Sequence, residues 1–201
     1  STGDGQPAGA PLELCEPSPG VAAVGPHLHP SRLSMREHYT LLRSTSRTFA
    51  VGIEALPGQL REAVTLAYLV LRVADYFEDS PTLGPEEKRR HLTAWAALLE
   101  AADRLPDPAA LGPLLDGVSR EDRGLPDYAA ATAARSILSG LAALPPEFRD
   151  SISRHTANTA RGMAAWIRLG DDFPDEAALD RYMYEVAGRV GVLLTELFAA
   201  Y

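Results

Sequence analysis

Residues 68–80 read YLVLRVADYFEDS, and Asp75, Glu78 and Asp79 place three carboxylates within five positions of an otherwise apolar stretch. Carboxylates at i, i+3 and i+4 share one side of a helix, and oxygen ligands grouped in this way suit a hard divalent cation. Mg²⁺ takes one or two carboxylates and fills its shell with water and phosphate oxygens. Arg72, one turn before Asp75, adds a planar fork that matches a phosphate. Tyr68, Arg72, Asp75 and Asp79 make one polar stripe with Glu78 beside it, and Leu66, Leu69, Val70, Leu71, Val73 and Phe77 cover the other faces. A helix apolar nearly all round is buried, so this stripe faces something inside the protein. Stability does not account for it. An i,i+4 like-charge pair such as Asp75 and Asp79 costs even an exposed helix roughly 0.2–0.5 kcal/mol. Two charges ~4 Å apart repel by about 4 kcal/mol at an effective dielectric of ~20. A bound cation removes that cost. The spacing alone leaves a second reading open, a solvated acidic turn near a helix end.

The elements that must hold the stripe read as helices. Ser31 or Ser34 caps a first helix to about Arg43, and Pro57 takes a first-turn position ahead of the long helix that SPTLGP stops after Asp79. PEEKRRHLTAWAALLEAADRL opens with acids that favour a helix N-terminus. DPAALGPLLDGV is a short helical piece, and PDYAAATAARSILSGLAAL and PPEFRDSISRHTANTARGMAAWIRLG each read as one helix. DEAALDRYMYEVAGRVGVLLTELFAAY is the last. No period-2 alternation and no fixed repeat is present, so the expected class is all-α. Residues 1–30, rich in Gly, Pro, Ser and Ala, read as a disordered arm ahead of a single helical domain over 31–201. His27 and His29 there lack further metal ligands at a suitable spacing, Cys15 being poorly placed. Trp95 and Trp166 read as ordinary core or boundary residues.

Composition narrows the function. The 201-residue chain is 46% hydrophobic and 23% charged, enough for a globular core. A net charge of −8 argues against a nucleic-acid partner, which needs a basic face. Cys15 is the only cysteine, so no intramolecular disulfide forms. The best apolar run, Ala63 to Leu71, falls far short of the ~18 residues of a membrane span. The N-terminal stretch lacks the basic and apolar regions of a secretory signal. The expectation is a cytoplasmic protein, with membrane association through peripheral contact left open. Lys88 is the sole lysine among many arginines.

YLVLRVADYFEDS resembles the first aspartate-rich motif of the squalene/phytoene synthase family, its YLVLR most like the squalene synthase branch. Two further blocks agree in order. STSRTFAVGIEALPGQLREAV is similar to the family's segment just before the aspartate-rich helix, and DRYMYEVAGRVGVLLTELF to its tyrosine-containing VAGxVG helix. RGM at 161–163 fits the segment ahead of that helix, and the resemblance covers about residues 34–201. It implies the all-α isoprenoid (terpenoid) synthase fold and the joining of two prenyl diphosphates through a cyclopropyl intermediate, with Mg²⁺. By matched position, Asp75, Glu78 and Asp79 would bind Mg²⁺ and diphosphate. Ser46, Arg47 and Arg72 would place the diphosphate, and Tyr68 and Tyr182 would line the reaction centre. Phe49, Val186, Val190 and Leu194 would wall the prenyl channel, with Gly188 and Gly191 leaving room for the chain. The expected substrate is farnesyl diphosphate and the product squalene or dehydrosqualene, with NADPH a further cofactor if the product is squalene. The alternatives are a phytoene synthase-like enzyme using geranylgeranyl diphosphate, another divergent prenyltransferase, or a non-catalytic relative acting as an assembly subunit.

Two departures stand out. The family carries a second aspartate-rich motif on a later helix, and none follows Tyr182 here. DDFPDE at 171–176 is broken by proline and precedes that helix, so it cannot serve. The expectation is therefore the first half of the helical bundle, its remainder a further portion of the same protein, a part lost by cleavage, a second polypeptide or a copy of this chain. Arg189 also stands at the variable position of VAGxVG, where a small or apolar residue is usual, and would reach a diphosphate or a partner.

Overall fold

The computed structural model describes residues 35–104, 107–168 and 173–201. The expected N-terminal arm, Cys15, the His27 and His29 pair and the Ser31 or Ser34 cap lie outside the described residues, as do Asp171 and Asp172 of DDFPDE. Every regular element among the described residues is helical: α1 (Met35–Thr45), α2 (Arg47–Glu54), α3 (Gly58–Asp79), α4 (Pro85–Glu100) and α5 (Pro108–Leu115) come first. A 3₁₀ turn (Arg120–Gly124), α6 (Tyr128–Thr132), α7 (Ala134–Ala142) and α8 (Pro146–Trp166) follow. The chain closes with α9 (Glu176–Met183), a π turn (Tyr184–Gly188) and α10 (Arg189–Ala200).

Helix α3 is the axis of the molecule. Its 22 residues bury Leu66, Leu69, Val70, Val73, Tyr76 and Phe77, and α1, α4, α6, α7 and α8 all pack against it. This matches the near-complete apolar surface of the sequence. Trp95 of α4 is fully buried and donates its indole N–H to the Val70 carbonyl at 3.2 Å, a core role as read. Pro57 stands one position before α3 rather than in its first turn, and Gly58 opens the helix at φ +34°, a conformation that favours glycine.

The end of α3 is anchored by Asp122 in the 3₁₀ turn. Its buried carboxylate accepts hydrogen bonds from Tyr76 Oη (2.9 Å), Ser80 Oγ (2.6 Å) and Thr82 Oγ1 (2.8 Å). Burial alone would raise the Asp122 carboxyl, but the donors from Ser80, Thr82 and Tyr76 outweigh it and hold the group below its ordinary range. The acidic turn 75–79 is thus fixed from behind.

Three segments differ from the sequence reading. Residues 47–54 form a helix of their own, capped by Ser46 Oγ, which accepts the Phe49 N–H at 3.3 Å. The alanine-rich segment is two helices, interrupted at Ala133 (φ −91°, ψ 5°), and nothing in a run of alanines marks that break. The final helix changes winding over Tyr184–Gly188, where the Arg189 N–H bonds the Tyr184 carbonyl instead of continuing the α pattern.

Candidate active site at the end of α3

The polar stripe of α3 divides into two groups. In the first, Tyr68 stacks at a tilt on Phe49 of α2 (ring centroids 5.8 Å apart), and the Arg72 guanidinium lies 5.6 Å over the Tyr68 ring. Arg72 also pairs with Asp75 one turn on, and with Asp127 at 3.4 Å. The Tyr68 hydroxyl is buried with no hydrogen-bond partner among the described residues, a cost of about 1–3 kcal/mol when nothing fills it. Asp127 stands at the head of α6 and is 6% exposed. Burial pushes its carboxyl up against the pull of Arg72, and the Asp79 charge adds to the rise.

In the second group, Glu78 and Asp79 face α8 and α9 across a cavity of about 600 Å³. Leu83, Lys88, Trp166, Ile167, Phe173 and Tyr182 share its wall. Trp166, Phe173 and Tyr182 form an aromatic trio with ring centroids 5.4–5.8 Å apart. Burial raises the Glu78 carboxyl to about 7, the Asp79 charge adds to it, and Lys88 pulls the other way. Lys88 Nζ donates to the Glu78 carbonyl at 2.6 Å, capping a free acceptor at the end of α3. Burial also raises the Tyr182 phenol, and the charges of Glu78 and Asp79 reinforce it.

Among the described residues no three carboxylate, His or Cys side chains converge tightly enough to hold a metal on their own. Asp75 is turned to Arg72, and Asp79 is exposed while Glu78 is half-buried. The donor set still fits Mg²⁺ carried with a diphosphate, which needs only one or two protein carboxylates. The placement of the Glu78 and Asp79 carboxylates side by side on the cavity wall supports this fit, and the raised Glu78 carboxyl agrees with it. Half-buried Glu78 and exposed Asp79 adjoin on that wall with Lys88 as the positive charge beside them, and a cation would relieve their repulsion.

The other expected site residues are spread more widely. Arg47 stands exposed in the first turn of α2 and makes no ion pair among the described residues, while Ser46 is engaged as the α2 cap. Phe49 is 63% exposed apart from its contact with Tyr68. Val186 and Leu194 pack half-buried against the core, and Val190 is half-buried as well. A Cβ on Gly188 would come within 2.7 Å of the Tyr184 ring, whereas Gly191 borders open space. Gly188 is therefore small to make room for Tyr184. Arg189 is bound to Glu185 and lies 5.3 Å over the Tyr184 ring, so its charge is answered within the chain.

Sequence reasoning missed Asp127, Lys88, Phe173 and the site role of Trp166. Asp127 looked like an ordinary helix-opening acid, although one lysine in a chain of arginines was a signal. Trp166 lines the cavity rather than the core, because α8 ends there and turns its last residues toward Tyr182.

The squalene/phytoene synthase family model matches residues 42–201. Squalene synthase of Schizosaccharomyces pombe is 33% identical over 171 residues, covering 83% of this chain and 35% of that protein. The human squalene synthase is 30% identical over 167 residues, with 83% and 36% covered. A solved structure of TcSQS with a bound ligand superposes at a TM-score of 0.66 with 28% identity, covering 83% of this chain and 44% of that one. This chain belongs to the squalene/phytoene synthase family and has the all-α isoprenoid synthase fold. It spans little more than a third of the length of the squalene synthases it matches.

Proposed function

We propose that this chain supplies the first aspartate-rich half of a prenyltransferase site that condenses two prenyl diphosphates, foremost farnesyl diphosphate. The reaction runs through a cyclopropyl diphosphate to squalene or dehydrosqualene. The observation that carries this reading is the cavity in which Glu78 and Asp79 face Trp166, Phe173 and Tyr182. Acids at one end and aromatic rings at the other suit a molecule with a charged head and an apolar chain.

Bound Mg²⁺ would neutralise the diphosphate as it leaves, with Asp75, Glu78 and Asp79 as its protein ligands. Arg72 sits between Asp75 and Asp127 and is placed to turn one guanidinium edge to phosphate. Arg47, free of ion pairs among the described residues, supplies a second cation from α2. Departure of diphosphate creates an allylic cation, and aromatic faces attract a cation without donating to it as a nucleophile. Tyr182 and the rings around it serve this end of the site, and Tyr68 and Phe49 serve the neighbouring wall. Their bulk also excludes water, which would otherwise capture the cation. The raised Tyr182 phenol keeps its proton at neutral pH and can donate a hydrogen bond there.

A second aspartate-rich helix would complete the clamp, from a further part of the same polypeptide, from a second polypeptide, or from another copy of this chain. No helix among the described residues is long and apolar enough to cross a membrane, and a cytoplasmic enzyme that meets the bilayer peripherally suits an apolar product. The test is turnover by the completed enzyme with farnesyl diphosphate and Mg²⁺, with and without NADPH, read by mass spectrometry. Squalene with NADPH and dehydrosqualene without it are expected. Phytoene from geranylgeranyl diphosphate, with farnesyl diphosphate inert, would replace the substrate assignment.

A further inference from the structure

Between α9 and α10 the backbone takes π geometry over Tyr184–Gly188. The Arg189 N–H reaches the Tyr184 carbonyl, five residues back. In a regular α-helix that amide would bond the Glu185 carbonyl, which is left needing another donor. Thr159 of α8, only 1% exposed, supplies it: its Oγ1 donates to the Glu185 carbonyl at 3.1 Å. Three residues on, Gly162 lies where any Cβ would come within 3.0 Å of the Glu185 side chain. Helix α8 therefore offers a donor and a notch at the same place.

The winding has a geometric result. One extra residue in a turn rotates the preceding helix by about 100° relative to the succeeding one. Leu193 and Leu197, 1% and 0% exposed, fix α10 to the core. The turn consequently sets the direction of α9, and with it the side of the helix on which Tyr182 emerges. As wound here, Tyr182 meets Trp166 at 5.8 Å and shares the cavity of Glu78 and Asp79.

We propose that Thr159 is a positioning residue whose hydroxyl holds the π turn and thereby aims Tyr182 at the acidic end of α3. Gly162 is the second half of the same seat. The geometric claim stands on its own, and only its effect on turnover rests on the prenyltransferase reading above.

The test compares Thr159→Val, which keeps the shape and removes the donor, with Thr159→Ser, which keeps the donor. NMR contacts between the Trp166 indole and the Tyr182 ring are read in the full chain. They are expected to disappear in Thr159→Val and to persist in Thr159→Ser. In the completed enzyme, Thr159→Val should lower kcat roughly tenfold to a hundredfold with KM little changed, as expected of a misplaced reacting group. Thr159→Ser should stay near the parent value. A Thr159→Val chain that keeps the Trp166–Tyr182 contact overturns the proposal. One that fails to fold overturns it too, because the hydroxyl would then be holding the bundle rather than aiming one tyrosine. Absence of turnover in the parent enzyme would sink the prenyltransferase reading and leave the ring contacts to decide the role of Thr159.

Discussion

Glu78 titrates near 7 instead of its ordinary 4.5 because burial and the Asp79 charge both oppose its ionisation. A raised carboxyl binds its proton more tightly in the folded chain than in the unfolded one. Its contribution to stability is therefore complete below about 4.5 and is lost as pH rises through about 7. Urea melts of the metal-free chain at pH 5 and pH 8 should show this loss, and Glu78→Gln should flatten it. Mg²⁺ competes with the same proton, so its affinity should climb as pH passes 7. The two aspartates behave differently. Asp79→Asn removes the charge that opposes Glu78 and should leave the metal-free chain as stable or slightly more so. Asp75→Asn breaks its pair with Arg72 and should cost up to about 1 kcal/mol, the scale of a partly exposed ion pair. Both should abolish turnover by the completed enzyme. The like-charge argument from spacing treats the two acids alike, and it passed over the i,i+3 spacing by which Arg72 pairs with Asp75 alone.

At the scale of elements, the Asp122 anchor explains why the acidic turn holds its shape. Asp122→Ala would take the shared charged acceptor from the buried hydroxyls of Tyr76 and Ser80 and from the hydroxyl of exposed Thr82. A loss of about 3 kcal/mol is expected from one charged acceptor with several donors, read as a lower urea midpoint with an unchanged slope. The helical class, the course of α3 and α8 and the acid-bearing end of α3 were legible in the sequence. Each rests on long apolar periodicity, a stop signal or a motif of fixed spacing. The π turn was not legible, because VAGRVG satisfies a straight helix equally well and the deciding donor, Thr159, lies 26 positions before Glu185. The break at Ala133 was hidden for a similar reason: tertiary packing chose it among residues of uniform propensity. Asp127 escaped notice because its partner, Arg72, is distant along the chain.

Over the whole molecule, the apolar surface is uneven. Leu179, Met183, Tyr184, Val192, Phe198 and Tyr201 are each at least 41% exposed, and all belong to the last quarter of the described chain. Phe49 and Val51 of α2 are 63% and 74% exposed. Burying side chains of this kind is worth roughly 1.5–3 kcal/mol each, and a contiguous patch of them seldom persists on a monomer. Light scattering of the isolated 201-residue chain should therefore show self-association, and a stable 21.6 kDa monomer would count against this expectation. Calorimetry should find weak, Mg²⁺-dependent binding of farnesyl diphosphate by that chain alone, since one aspartate-rich helix makes half a clamp. Lys88, the only lysine, borders the cavity with its Nζ held against the Glu78 carbonyl. For a chemist this is a ready-made label position. Amine-selective reagents can modify no other side-chain amine in this sequence, so peptide mapping after mild acylation reads cavity occupancy at a single lysine, and added Mg²⁺ with inorganic diphosphate should slow that one modification.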